Sequence, residues 1–133
     1  IKTSLDPCPE GYRVPTKTDF DQLINDVILS NKGSFVQSNS NFTSAKILKS
    51  RRNQNVQLTF PAQGFFNVAG SGFTNYAPTN IVFRGLYGYY KTSSAEGEDT
   101  WIMLLNNQDL YMIMRQGNPA NRSTSQNIRC VAL

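Results

Sequence analysis

The chain has no histidine, and that absence removes the commonest general base, the Ser-His and Cys-His nucleophile pairs, and most zinc sites together. It has one tryptophan and only two cysteines, and charged residues make up just 17% of its 133 residues. No apolar run approaches the roughly eighteen residues that a membrane-crossing helix needs, so no direct membrane insertion is expected. The start, Ile1-Lys2-Thr3-Ser4, carries neither an initiator Met nor a signal-peptide pattern, so the chain reads as a mature product or a domain excised from something larger. Its length fits a single domain over residues 1–133, able to bury a core without metal.

What is present supports a globular domain. Hydrophobic residues reach 39% and aromatic ones 11%, enough to supply a packed interior in which rings do much of the burying. The net charge is +4, but the basic residues are scattered except for Lys46, Lys49, Arg51 and Arg52, which read as a solvated face. A nucleic-acid binder wants a longer basic stripe with interleaved aromatics, so no nucleic-acid partner is expected. The two cysteines, Cys8 and Cys130, bracket nearly the whole chain. Either they are two separate buried thiols or they pair, which fits an oxidising compartment; the pairing is the expected outcome. Joined, they would close a loop of about 120 residues and remove roughly 4–5 kcal/mol of unfolded-state freedom.

Thr16 followed by Asp19 predicts a variant capping box, with Pro15 before it and Asp19 and Asp21 in the first turn. Phe20, Leu23, Ile24, Val27 and Ile28 then recur at helical spacing, which predicts a helix over residues 17–29 ended by Asn31-Lys32-Gly33. Residues 37–41 read as a loop, and residues 44–49 as a short second helix with Ala45 and Leu48 inward. From Val56 on, short β-prone runs alternate with Gly, Asn and Pro: strands over 57–61 and 64–68, a long surface excursion over 69–84, and a β-prone run over 88–94. Residues 101–105 and 110–114 flank Asn106-Asn107-Gln108-Asp109 as a hairpin, and a last strand covers 128–132. Alternation in that hairpin puts Tyr111, Ile113 and Arg115 on one face and Leu110, Met112 and Met114 on the other.

Several candidate chemistries read as ordinary surface. Ser93 and Ser94 beside Lys91 are polar loop residues rather than a Ser-Lys pair. Glu96, Glu98 and Asp99 lack the spacing of an EF-hand loop and read as a solvated acidic turn, so no metal and no cofactor are expected. Gly70-Ser71-Gly72 is a turn rather than a phosphate loop, and Asn41-Phe42-Thr43 and Asn121-Arg122-Ser123 match the glycosylation pattern only by its frequency. The mixture of tyrosine and asparagine is more suggestive, because Tyr offers a large amphipathic contact at little rotamer cost and Asn offers both a donor and an acceptor. Tyr76, Tyr87 and Tyr111 fall near loops that hold Asn75, Asn80, Asn106, Asn107, Asn118 and Asn121, whereas Tyr89 and Tyr90 read as core. Turn formation is the competing role for the asparagines.

Taken in order, CPEGYRVPT over residues 8–16, LTFPAQGFF over 58–66, GYYKTSS over 88–94 and NIRCV over 127–131 resemble the landmarks of the Fibrobacter succinogenes major paralogous domain, a bacterial surface-protein family. Tyr12 and Lys91 stand where that family has Trp. The resemblance implies an α+β, C-type-lectin-like domain with two helices flanking a small antiparallel sheet, a long loop region, and paired chain ends tied by Cys8 and Cys130. The lectin calcium motifs are missing. Similarity extends to the variable proteins of diversity-generating retroelements, whose display segment would correspond here to about residues 106–127. The expected function is therefore a non-catalytic ligand-binding or adhesive module on an extracellular bacterial surface. Its ligand-binding residues would be Tyr87, Asn106, Asn107, Asp109, Tyr111, Arg115, Asn118, Asn121 and Arg122, and its partner a glycan or protein ligand on another surface. The alternative is a structural assembly domain packing against neighbouring domains or pilus subunits, and an enzyme is the remote third.

Overall fold

A computed structural model describes residues 2–66, 81–115 and 126–133. The chain runs through β1 (Tyr12–Arg13), α1 (Lys17–Asn25), β2 (Val27–Lys32), β3 (Ala45–Ser50), β4 (Gln57–Pro61), β5 (Phe65–Phe66), β6 (Ile81–Val82), β7 (Gly88–Glu96), β8 (Asp99–Leu105), β9 (Leu110–Arg115) and β10 (Val131–Ala132). These strands form four antiparallel sheets: β1-β10, β2-β3-β4, β5-β6 and β7-β8-β9.

The β7-β8-β9 sheet is the middle layer, because over residues 88–90 and 102–105 its apolar positions run without interruption instead of alternating with polar ones, so both faces are buried there. One face carries Tyr90, Met103, Leu105 and Leu110 against Phe20 of α1 and Val27, Leu48 and Phe60 of the β2-β3-β4 sheet. The other carries Tyr89, Ile102 and Leu104 against Phe65 and Val82 of β5-β6. Tyr89 and Tyr90 are thus both core, on opposite sides. The Tyr90 hydroxyl donates to the Pro61 carbonyl at 2.8 Å, and burial pushes its pKa up. At the chain ends, Tyr12 pairs with Ala132 and Arg13 with Val131, and Cys8 and Cys130 form a disulfide with their Cα atoms 5.8 Å apart.

The expected two helices flanking a small sheet are not what the chain forms. Among the described residues strand makes up 45% and helix 8%, and α1 is the one helix. Two segments account for the correction. Residues 44–49, expected to be helical, form most of β3, the central strand between β2 and β4; a six-residue segment cannot outweigh two sets of cross-strand hydrogen bonds. The first helix stops at Asn25 because Val27, Ile28 and Leu29 take up pairing with Ser50, Lys49 and Leu48. Val27 fits a 3.6-residue stripe that begins at Phe20 and equally the inward side of a strand, so the pattern alone could not separate the two. Of the long excursion, residues 67–80 lie outside the described residues, while Ile81 and Val82 form β6 and Val82 is buried.

The capping box is formed as expected: Thr16 Oγ1 accepts from the Asp19 amide, and the Asp19 carboxylate accepts from the Thr16 amide. Arg13 grips the same carboxylate through both terminal nitrogens, and chiefly for that reason the Asp19 pKa is pulled from 3.8 to about 2. The native value lies below the unfolded one, so this contribution is complete above about pH 4 and disappears as pH falls toward 2. With partial exposure discounted it amounts to about 1–2 kcal/mol. Urea titrations between pH 5 and pH 2 should show Asp19→Asn flattening the acid limb relative to wild type; equal slopes would rule this out.

Candidate functional site

The β8–β9 turn, residues 106–109, is the part of the expected ligand-binding segment that the structure describes in full. Its shape is set from inside. Asn106 Oδ1 accepts from the amides of Gln108 and Asp109, both at 2.8 Å, and Asp109 Oδ1 accepts from the Leu110 amide at 2.7 Å. Asn106 is therefore a turn former whose acceptor is already used. A second set of bonds ties the tip to the next sheet: the Asn107 carbonyl accepts from Asn31 Nδ2 at 2.6 Å and from Lys46 Nζ at 3.3 Å. Lys46 Nζ also donates to Asn31 Oδ1 at 2.7 Å, directly across the β2–β3 pair.

Lys46 corrects the sequence reading, which placed it in a solvated basic face. It is only 2% exposed, its ammonium lies 5.8 Å from the centroid of the Phe35 ring, and burial pushes its pKa down against the opposing charge of Asp109. The signal was available: in Ala45-Lys46-Ile47-Leu48 the lysine sits inside an apolar β-prone run. Arg51 and Arg52 of the same cluster are exposed as expected. Replacing a buried cation by an isosteric apolar chain is often nearly neutral because its desolvation cost disappears with its bonds. Lys46→Met should therefore change stability by less than about 1 kcal/mol, yet speed amide exchange at Asn107, Gln108 and Asp109 roughly tenfold by freeing the tip. Unchanged exchange would show that the lysine does not hold the turn.

Above the braced tip, Asn107 and Asp109 are exposed, and Tyr111 is 38% exposed opposite Leu104. As the alternation requires, Leu110 and Met112 turn to the α1 side and pack with its core, while Ile113 packs on the β5-β6 side. Met114 is half-buried. Tyr87 is half-buried rather than displayed: its ring stands edge-on to Phe83 at 5.3 Å and to Tyr89 at 6.1 Å. Phe83 itself is the one non-glycine residue with positive φ among the described residues, at 61°. The Arg115 backbone ends β9 opposite Thr100; its side chain, like Asn118, Asn121 and Arg122, lies outside the described residues, as do Asn75, Tyr76 and Asn80. The structure thus leaves Asn107, Asp109 and Tyr111 exposed on and just after the turn and gives Asn106 and Tyr87 supporting contacts.

The remaining candidates have local structural duties. Ser94 Oγ accepts from the Lys17 amide at the start of α1, and Ser93 donates its amide to the Pro15 carbonyl. Both follow from an irregularity in β7 between Lys91 and Ala95 that shifts its register against β8. Glu96 Oε1 accepts from the Trp101 indole, and among the described residues no three His, Cys, Asp or Glu side chains gather as a metal site. Asn41 is committed too, its Nδ2 donating to Ser34 O, Val36 O and Ser44 Oγ, so glycosylation there would dismantle a loop.

No family model, curated protein or solved structure matches this chain.

Proposed function

We propose that this chain is a non-catalytic ligand-binding or adhesive module of an extracellular bacterial surface protein, recognising a glycan or protein ligand through Asn107, Asp109 and Tyr111. The observation that carries the reading is the bracing of the β8–β9 turn by Asn106, Asn31 and buried Lys46. A turn held this way presents its exposed side chains with little entropy left to lose on binding, which is what a recognition loop on a rigid support requires. Tyr111 supplies a flat amphipathic ring, Asn107 a donor and acceptor pair, and Asp109 a carboxylate oxygen not needed by the turn. The Cys8–Cys130 disulfide is in keeping with an oxidising, extracellular setting, and the landmark resemblance supplies the bacterial surface. The exposure of these side chains is what recognition in the isolated domain requires.

A glycan array and a peptide array probed with wild type and with the double variant Asn107→Ala, Tyr111→Ala test the reading. Signals should fall at least about tenfold in the variant while its melting temperature stays within a few degrees of wild type. Full signal in the folded variant would place recognition elsewhere, and no signal from wild type on either array would remove the support for a binding module.

A further inference from the structure

A second concave surface lies away from the β8–β9 turn. It is a cleft of about 580 Å³ where residues 3–7, the β1–α1 junction and β7 meet, lined by Leu5, Asp6, Val14, Lys91, Ser93 and Ile128 among others. Its walls are fixed. Asp6 spends one carboxylate oxygen on the Cys8 amide at 2.8 Å and the other on the Val14 amide at 3.0 Å, which pulls its pKa down. Arg13 is held by Asp19, and the disulfide anchors the segment beside Pro7. The β7 irregularity lies at the same place, with Thr92 buried and its hydroxyl donating to the Trp101 carbonyl at 2.6 Å. A bulge of this kind commonly re-aims neighbouring side chains at a functional surface.

The charged residues that line the cleft are Asp6, Arg13 and Lys91. Asp6 is engaged by the Val14 and Cys8 amides and Arg13 by Asp19, whereas the half-buried Lys91 ammonium has no hydrogen-bond or ion-pair partner among the described residues. Beside that free cation stand Ser93, whose hydroxyl makes a long 3.5 Å bond to the Pro15 carbonyl, and the aliphatic groups of Leu5, Val14 and Ile128. One point charge with a hydroxyl suits a monovalent carboxylate; a phosphate would be better served by a free guanidinium fork, and the one in this wall is occupied by Asp19. We propose that this cleft binds the C-terminal carboxylate of a peptide ending in a branched aliphatic residue, with Lys91 as the counter-ion and Leu5, Val14 and Ile128 enclosing the side chain. This is a site separate from the turn, and its failure would leave the turn reading untouched.

The test is amide-resolved NMR of the whole chain titrated with N-acetyl-leucine, and separately with N-acetyl-leucinamide, which keeps the aliphatic group and removes the charge. The acid should give saturable shifts at the Val14, Thr92 and Ser93 amides with a Kd on the order of 1 mM, and the amide should bind at least about tenfold more weakly. Lys91→Met should abolish the response and Lys91→Arg should keep it. Equal binding of acid and amide, shifts gathered at Asn107–Tyr111 instead, or no saturable shift at about 20 mM acid would each overturn the proposal, and the acid–amide comparison stands even where a Lys91 variant folds poorly.

Discussion

Reduction of the Cys8–Cys130 bond is expected to lower the melting temperature by about 15 °C. The two cysteines are 122 residues apart in sequence, and a cross-link closing so long a loop restricts the unfolded chain by about 4–5 kcal/mol in the loop-entropy account. For a domain of this size each kcal/mol is worth roughly 3–5 °C. The native state adds a local reason. The β1-β10 sheet has only two residues in each strand, too few to hold the chain ends together alone, and the same ends form walls of the Lys91 cleft. Thermal unfolding followed by circular dichroism, with and without reductant and in Cys8→Ser, Cys130→Ser, measures the effect. The amides of Arg13 and Val131 should lose exchange protection before the β7-β8-β9 sheet does. A shift below about 3 °C would mean that the unfolded chain gains little freedom from reduction.

Phe60→Ala should cost about 3–5 kcal/mol, the range for emptying a fully buried aromatic site. Phe60 is 1% exposed and stands where the layers meet. Its ring is edge-on to Phe20 of α1 at 6.4 Å and to Tyr90 of β7 at 4.9 Å, and the Arg129 guanidinium lies 4.8 Å from its centroid while donating to the Thr59 carbonyl. Truncation removes all three ring contacts, and the surrounding groups come from separate elements that cannot close over the gap without moving a sheet. Urea denaturation should give the loss with little change in m-value, and Phe60→Leu should recover part of it. A loss under about 1.5 kcal/mol would show that the two sheets are coupled by something other than this ring. Tyr111, by contrast, is 38% exposed, and its removal should alter binding while leaving the fold nearly intact.

The amino-acid sequence by itself determined those features whose cause is local or purely compositional. Thr16 and Asp19 specify the start of α1 because a capping box needs only residues three apart. Pro61 marks the end of β4, and Asn106 the turn, because a ring without an N–H and a short side-chain acceptor act on their immediate neighbours. The uninterrupted apolar runs of β8 and β9 announced a hairpin, and two cysteines at opposite ends announced their pairing. Tertiary structure decided the rest. Residues 44–49 became a central strand because β2 and β4 offer it partners on both edges, which no count of local periodicity contains, and α1 yields to β2 at Asn25 for the same reason. Burial of Lys46 depends on Asn31 and Asn107, from elements far apart in the chain, converging on its ammonium. Lys91 faces a cleft only because the disulfide brings residues 3–7 up to a bulged β7. Such long-range pairings exchange chain entropy for contacts that exist only once the whole chain has folded, and that is why caps and turns could be read from neighbouring residues while the fold alone decided that Lys46 is buried and that Asn107, Asp109 and Tyr111 are exposed.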